Sequence, residues 1–93
     1  MPEDRRLAAI MFTDIVGYTA LMGKDEDKAF KVLRKNREIQ RPIIKKYRGE
    51  WLEEMESSVL ASFQTITDAI YGAIEIQRQC EEYYGLKLRI GIY

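Results

Sequence analysis

The sequence contains no histidine, and this absence argues against several classes of enzyme. Catalytic triads, most zinc centres and most acid–base chemistry near neutral pH use an imidazole ring. Cysteine is scarce as well, because Cys80 stands alone and an internal disulfide is impossible. Since Cys80 falls at an apolar position of a helical pattern, we expect a buried core thiol in a reducing compartment.

Charge and hydrophobicity narrow the choice of partners and of location. Fifteen basic and fifteen acidic residues give a formal net charge of zero, so the overall field does not favour nucleic acid or an anionic membrane. No apolar run approaches the ~20 residues that span a bilayer. Residues 1–6 are polar and lack the apolar stretch of a secretory signal. We expect a water-soluble, cytoplasmic protein that binds neither nucleic acid nor membrane.

The chain is long enough for one folded unit. It has 93 residues, of which 46% are hydrophobic and 11% aromatic, and this content is too apolar for a disordered chain. No repeat, low-complexity tract or Gly/Ser/Pro-rich linker divides it. We therefore expect residues 1–93 to form a single domain.

The period of the apolar residues predicts the order of the elements, being two in a strand and 3.6 in a helix. Pro42 is expected to interrupt or bend the long helix that contains it. In chain order the sequence predicts strand 7–16, helical turn 19–22, helix 25–49, strand 50–56, strand 59–63, helix 65–85 and strand 86–92.

Strict alternation in strand 50–56 predicts which side chains share a face of the sheet. Trp51, Glu53 and Met55 are expected on one face, and Leu52 and Glu54 on the other. The next strand follows so closely that the two should form a hairpin.

Two further local features lie around this hairpin. Ser57 and Ser58 are expected to form its turn, although neither residue type favours the positive φ of a tight turn. In the following helix one apolar stripe is predicted, formed by Ile66, Ala69, Ile70, Ala73, Ile74, Gln77 and Cys80.

The predicted order β-α-α-β-β-α-β is a split βαβ arrangement and is typical of the α+β, ferredoxin-like fold. Such a fold has a four-stranded antiparallel sheet with its helices on one face. The other face of the sheet is then uncovered, although large apolar residues of the first strand and of strand 50–56 point toward it. We expect a homodimer in which a second copy of the chain covers this open face.

Four segments resemble the catalytic domain of class III adenylyl and guanylyl cyclases. The most specific is the end of the first predicted strand with the turn that follows it. The segments cover nearly the whole chain with the spacing of the N-terminal half of that domain, and they are FTDIVGYT at 12–19, RGEW at 48–51, VLASF at 59–63 and LRIGI at 88–92.

The resemblance implies roles for five residues. Enzymes of this family use two divalent cations, held by two aspartates, to close a nucleoside triphosphate into a cyclic monophosphate. Asp14 matches the first aspartate, and Ile15 matches a position whose backbone carbonyl joins the metal shell. The backbone N–H groups of Gly17, Tyr18 and Thr19 would face the phosphates. From residue type alone, capping of the following turn by Asp14 is favoured over metal binding.

The second aspartate of the family lies in a Gly-Asp-Gly hairpin, where this chain has Glu56, Ser57 and Ser58. Serine cannot supply the charge of a bridging carboxylate. We therefore expect no required cofactor, and Mg²⁺ or Mn²⁺ only if the ancestral site survives. Glu53 occupies the base-reading position, where it indicates either a preference for guanine or a solvated strand charge.

The resemblance also implies an asparagine and an arginine that stabilise the transition state, and both belong to the second half of the domain. Loss of such groups costs orders of magnitude in rate. The chain stops at Tyr93, where that half would begin, so we expect no activity from the chain alone.

The leading functional hypothesis is a truncated or engineered, non-catalytic half-domain that acts as a folded, self-associating scaffold. One alternative is a nucleotidyl cyclase, or a fragment that binds Mg-nucleotide through Asp14. Another is a module whose open sheet face, with Trp51 and Met55, binds a partner.

Overall fold

A computed structural model describes residues 8–83 and 85–93; the polar segment 1–6, the predicted start of the first strand at Leu7, and Tyr84 lie outside the described residues. Within these ranges the chain forms four strands and three helices. They are β1 (Ala9–Ile15), α1 (Tyr18–Lys24), α2 (Glu26–Lys46), β2 (Glu50–Met55), β3 (Ser58–Phe63), α3 (Ile66–Glu81) and β4 (Leu88–Ile92).

The four strands form one antiparallel sheet with the order β2-β3-β1-β4. β1 lies in the interior between β3 and β4, whereas β2 and β4 are the edges. This strand order, with the helices between β1 and β2 and between β3 and β4, is that of a split βαβ unit. The predicted α+β, ferredoxin-like fold is confirmed.

The long helices begin at side-chain caps. The Asp25 carboxylate accepts the Lys28 N–H at 3.1 Å at the start of α2, and the Thr65 hydroxyl accepts the Asp68 N–H at 3.1 Å at the start of α3. The expected interruption at Pro42 does not occur. Pro42 lies within α2 on its exposed side, where water can bond the carbonyl that loses its helical donor.

The core lies between α2, α3 and one face of the sheet, which we call the helix face. Alternate strand residues point into it, and the side chains of Met11, Ala61 and Phe63 are at most 2% exposed. Cys80 is buried in this core, as predicted, and its burial raises the pKa of its thiol to about 11. The thiol therefore stays protonated at neutral pH.

The opposite side of the sheet, the open face, has no helix over it within the described residues. Its strand residues alternate with those of the core and are half-buried or exposed. They are Ile10, Phe12, Asp14, Glu50, Glu53, Met55, Ser58, Leu60, Ser62, Arg89, Gly91 and Tyr93.

A β-bulge in β2 corrects the predicted alternation of that strand. Trp51 pairs with Ala61 on the helix face, but the next pair joins Glu53 to Leu60 on the open face, so one extra residue lies between them. Trp51 therefore does not share a face with Met55. Its ring packs under the guanidinium of Arg41 from α2, whose carbon lies 4.3 Å from the ring centroid.

The predicted single stripe of α3 is also wrong in part. The sheet buries Ala69, Gly72, Ile76 and Cys80, which lie along one line of the helix. Three isoleucines of the predicted stripe lie on a neighbouring line and are 60%, 43% and 44% exposed, in the order Ile66, Ile70 and Ile74.

None of these helices provides an apolar stretch that could traverse a bilayer, as judged over residues 8–83 and 85–93.

Candidate functional site

The open face carries Asp14 at the centre of a row that crosses all four strands. Strand register places Ser58 of β3 on one side of Asp14 and Arg89 of β4 on the other, and Met55 of β2 follows Ser58. Directly opposed residues in antiparallel strands have Cβ atoms about 5 Å apart. The row therefore brings the predicted metal ligand of β1 beside the β2–β3 hairpin.

Two serine hydroxyls from this hairpin donate to the Asp14 carboxylate. Ser57 Oγ lies 3.0 Å from Oδ1 of Asp14, and Ser58 Oγ lies 3.3 Å from the same oxygen. No cation in the described part of the chain is within ion-pair distance of Asp14, and its cross-strand neighbour Arg89 is exposed. One carboxylate oxygen is thus occupied by neutral donors.

The backbone of Ile15 faces the same hairpin. Its N–H donates to the Ser57 carbonyl at 3.2 Å. Because the N–H and C=O of one residue in an antiparallel strand point to the same side, the Ile15 carbonyl also points toward the turn. The Ile15 side chain is buried in the core, so only the backbone of this residue can reach a ligand at the site.

The turn after β1 leads directly into α1. Gly17 has φ 78° and ψ 12°, a left-handed conformation that glycine adopts without steric cost, and its carbonyl accepts the Leu21 N–H at 3.0 Å. The Tyr18 side chain is buried and Thr19 is exposed. The first N–H groups of a helix have no intrahelical acceptor, so the backbone of 17–19 keeps donors that an anion could use.

The hairpin turn consists of Glu56 and Ser57, which corrects the predicted turn at Ser57 and Ser58. β3 already begins at Ser58. Glu56 has φ 50°, in the region where a side chain is strained and glycine is preferred. Glycine would be the unstrained residue at this point, and Glu56 occupies the position where the family resemblance implies one.

Glu53 lies on the open face one row away from Asp14, opposite Leu60. Its side chain is exposed. An exposed carboxylate at this place is consistent with a base-reading residue and equally with a solvated strand charge.

The residues around Asp14 do not fit a centre for two divalent cations. Hard cations such as Mg²⁺ prefer carboxylate oxygens, but Asp14 meets the Ser57 hydroxyl where the family resemblance implies a second carboxylate. Within the described ranges, no group of three or more His, Cys, Asp or Glu side chains is placed to hold a metal ion. One carboxylate with two serine hydroxyls is a weak set of ligands.

Sequence reasoning missed the two hydrogen bonds that Asp14 accepts from the serines, and it missed Arg89 as its neighbour. Both follow from strand register. The signal was present in part, because the hairpin and the last strand were predicted, but pairing each residue of β1 with a partner requires the three-dimensional sheet.

The chain is similar to nucleotide cyclases. It is 30% identical over 96 residues to a Rhizobium meliloti protein that carries the name adenylate cyclase 3, covering 95% of this chain and 16% of that protein. It is also 30% identical to the solved adenylate/guanylate cyclase/hydrolase of Silicibacter pomeroyi, with a TM-score of 0.82 over 96% of this chain and 56% of the other.

A third comparison, at lower sequence identity, concerns the fold alone. Adenylate cyclases of Trypanosoma brucei, solved in their monomeric state, superpose with a TM-score of 0.85 at 17% identity, covering 98% of this chain and 58% of theirs. No protein-family model matches the chain. The chain thus spans about a sixth of the curated relative and little more than half of the solved cyclase chains.

Proposed function

Since the chain is homologous to part of the class III nucleotidyl cyclase catalytic domain, we propose that it is a non-catalytic half of such a domain, acting as a folded, self-associating scaffold. The observation that carries this proposal is the set of hydrogen-bond partners of Asp14. Its Oδ1 accepts hydrogen bonds from the hydroxyls of Ser57 and Ser58, where the resemblance implies a second carboxylate.

The chemistry of cyclisation explains why this replacement matters. Two cations neutralise the charge that develops on the phosphates, and a carboxylate that bridges them supplies both position and charge. A serine hydroxyl is neutral and a much weaker ligand for Mg²⁺ or Mn²⁺. With Asp14 as the one carboxylate of the row, a pair of cations would be bound weakly.

The asparagine of this chain supports the same proposal. Asn36 is the only asparagine in the sequence. It is 1% exposed, and its Oδ1 accepts the Gln40 amide at 2.8 Å within the core. It cannot orient a ribose, so the 93 residues lack the asparagine that the family resemblance implies for catalysis.

The test is an assay for cyclic nucleotide formation from ATP and GTP with Mn²⁺, together with calorimetric titration of a non-hydrolysable analogue. We expect no product and no saturable, metal-dependent binding by the unaltered chain. Binding that disappears in Asp14→Ala would contradict the scaffold proposal.

A gain-of-function variant sharpens this test. Ser57→Asp places a carboxylate at a position whose hydroxyl now lies 3.0 Å from Asp14 Oδ1, and we expect this variant to bind Mn²⁺ where the unaltered chain does not. The matched control is Ser62→Asp, which adds the same group to the open face near the other end of β3, opposite Ile10. The added affinity should be lost again when Asp14→Asn is combined with Ser57→Asp.

A second candidate function is a fragment that binds Mg-nucleotide and completes a cyclase with another chain. The conformation of Gly17 favours it, because the turn keeps the left-handed geometry and the free N–H groups that a phosphate requires. The same titration, repeated with Gly17→Ala, separates this candidate from the scaffold. Metal-dependent binding that weakens in Gly17→Ala would support it.

The self-association part of the proposal concerns the open face, where Phe12 and Met55 are 37% and 58% exposed. A second copy of the chain would bury these side chains in a cytoplasmic homodimer. Light scattering of Phe12→Glu should then give a lower mass than the natural sequence, while Phe30→Glu on the outer side of α2 should not. An unchanged mass in Phe12→Glu would exclude this contact.

A further inference from the structure

The edge of the sheet at β4 has backbone groups that point away from the sheet. Ile10 and Tyr93 exchange two N–H···O bonds of 2.9 and 2.8 Å, which makes them a hydrogen-bonded pair of the β1–β4 ladder. Such pairs alternate along an antiparallel ladder. The N–H and C=O groups of Leu88, Ile90 and Ile92 therefore point outward, away from β1.

One of these outward groups is already bonded by α3. The Gln77 side-chain amide donates to the Leu88 carbonyl at 3.2 Å. The N–H and C=O of Ile90 and of Ile92 have no acceptor or donor within residues 8–83 and 85–93. β4 thus presents a short row of unpaired donors and acceptors, which is a template for another strand.

The other edge of the sheet is protected against such pairing. β2 contains the bulge between Trp51 and Glu53, which breaks the regular ladder. It also carries acidic side chains at Glu50, Glu53 and Glu54. Bulges and charges are the usual devices that prevent strand addition at an edge. No bulge interrupts the described pairing of β4 with β1.

An apolar surface of α3 lies beside the free edge. The opposite side of α3 faces α2, where Tyr71 lies against Tyr47 and Glu75 bonds Lys46. The side that faces away from α2 is the side from which Gln77 reaches β4. It carries the exposed isoleucines Ile66, Ile70 and Ile74.

We propose that two copies of the chain associate through this surface, with β4 of each copy paired antiparallel about a two-fold axis at Ile90. We call it the β4 edge surface and define it as Ile66, Ile70, Ile74, Ile90 and Ile92. The two four-stranded sheets then become one eight-stranded sheet, and the α3 isoleucines of the two copies pack against each other on its helix face.

The register about Ile90 is self-complementary. In an antiparallel pair centred on Ile90, each residue stands opposite the residue that lies equally far from Ile90 on the other side. Leu88 therefore faces Ile92 of the second copy on the helix face. On the open face, Arg89 faces Gly91 of the second copy. The two arginines therefore avoid direct opposition, which is destabilising for like charges.

This contact goes beyond the proposed scaffold function and is independent of the open-face contact. It uses an edge and a helix flank, whereas the open-face contact uses Phe12 and Met55. Either contact can fail while the other persists, and the two are separated by which amide protons become protected.

The first test is amide hydrogen exchange of the 93-residue chain, followed by NMR from dilute to concentrated solution. Association through β4 slows the exchange of the Ile90 and Ile92 amides by about tenfold or more as concentration rises, since pairing removes them from solvent. Association through the open face alone leaves these two rates constant. Constant rates, with or without a dimer, overturn the proposal.

The second test uses Ile74→Glu with Phe30→Glu as its matched control. Ile74 is 44% exposed and Phe30 46%, so both variants place a charge at a similarly exposed site and should leave the fold intact. We expect Ile74→Glu to weaken self-association by about tenfold or more and to restore fast exchange at Ile90. Equal association of both variants overturns the proposal, whatever Phe12→Glu does.

Discussion

The two faces of the sheet differ in how closely their side chains are packed. On the helix face, Met11, Thr13 and Ala61 have no exposed surface, and the side chains of α2 and α3 fill the space above them. On the open face, the same strands carry Phe12 at 37% exposure and the polar row of Asp14. Successive residues of one strand thus experience a close-packed core and a partly solvated surface.

This difference separates the part of the sheet that stabilises the fold from the part that carries the candidate site. The free energy of folding comes mainly from the helix face, where apolar area is removed from water. The family resemblance implies metal and phosphate contacts on the open face and in its turns. A serine in place of an aspartate at position 57 would remove a charge there without opening a cavity in the core.

The largest expected effect on stability comes from truncating a phenylalanine, and one phenylalanine on each face allows the comparison. Phe63 is 2% exposed on the helix face, and Phe63→Ala should lower the free energy of unfolding by about 3–5 kcal/mol. Phe12→Ala on the open face should lower it by roughly 1 kcal/mol, because less of that ring leaves water on folding. Urea denaturation at low protein concentration measures both.

Equal losses in the two variants would contradict the comparison, since they would place Phe12 in a close-packed environment. Such an outcome at high concentration but not at low would instead point to a second copy covering the open face.

A smaller effect of opposite sign is expected at the hairpin turn. Glu56 has φ 50°, and Glu56→Gly should raise the free energy of unfolding by about 1 kcal/mol because glycine adopts positive φ without strain. The control is Glu53→Gly in extended β2, which should lower it by about 0.5–1 kcal/mol. The midpoints of urea unfolding compare the two variants with the natural sequence.

A loss of stability in Glu56→Gly would mean that the Glu56 side chain contributes more than the strain of its backbone costs. The serine–Asp14 hydrogen bonds can be followed in the same variant, because they depend on the position of this turn.

Much of the fold could be predicted from the period of the apolar residues. The predicted strand 7–16 contains β1, and the predicted helices 25–49 and 65–85 contain α2 and α3. The bulge after Trp51 could not be predicted, because an inserted residue shifts the alternation without changing composition. The exposed isoleucines of α3 were missed because a helical stripe can be wider than the sheet beneath it.

For the candidate site, the sequence indicates residues but not their contacts. The resemblance identified Asp14, Ile15 and the Gly17 turn, and the structure places all three at one end of β1. The bonds from Ser57 and Ser58 to Asp14 depend on the register of β3 against β1. Local sequence carries little information on register between distant strands, so these bonds needed the folded sheet.

The smallest expected effect lies at the contact between α2 and α3. Glu75 of α3 accepts hydrogen bonds from Lys46 Nζ at 3.0 Å and from Tyr47 Oη at 2.8 Å. The hydrogen bond from Lys46 is the main cause of the lowered pKa of Glu75, and the hydrogen bond from Tyr47 is the second cause. The same bonds to Glu75 raise the pKa of Lys46 and of Tyr47.

The directions of these pKa shifts determine the pH range in which the contact between Glu75, Lys46 and Tyr47 stabilises the fold. A lowered pKa of Glu75 stabilises the fold above the unfolded value near 4.3 and is lost as pH falls through the folded value. The raised pKa values of Lys46 and Tyr47 stabilise the fold below their unfolded values, near 10, and this contribution is lost as pH rises through the folded values. Glu75→Gln should therefore lower the urea midpoint slightly near neutral pH and leave it unchanged in strong acid.

The matched control is Glu81→Gln, an exposed position on the same helix whose carboxylate forms no ion pair with a described residue. Its urea midpoint should follow that of the natural sequence at every pH. If Glu75→Gln behaved in the same way, the contact between α2 and α3 would add nothing to stability. The close packing of the helix face alone would then hold the helix layer in place.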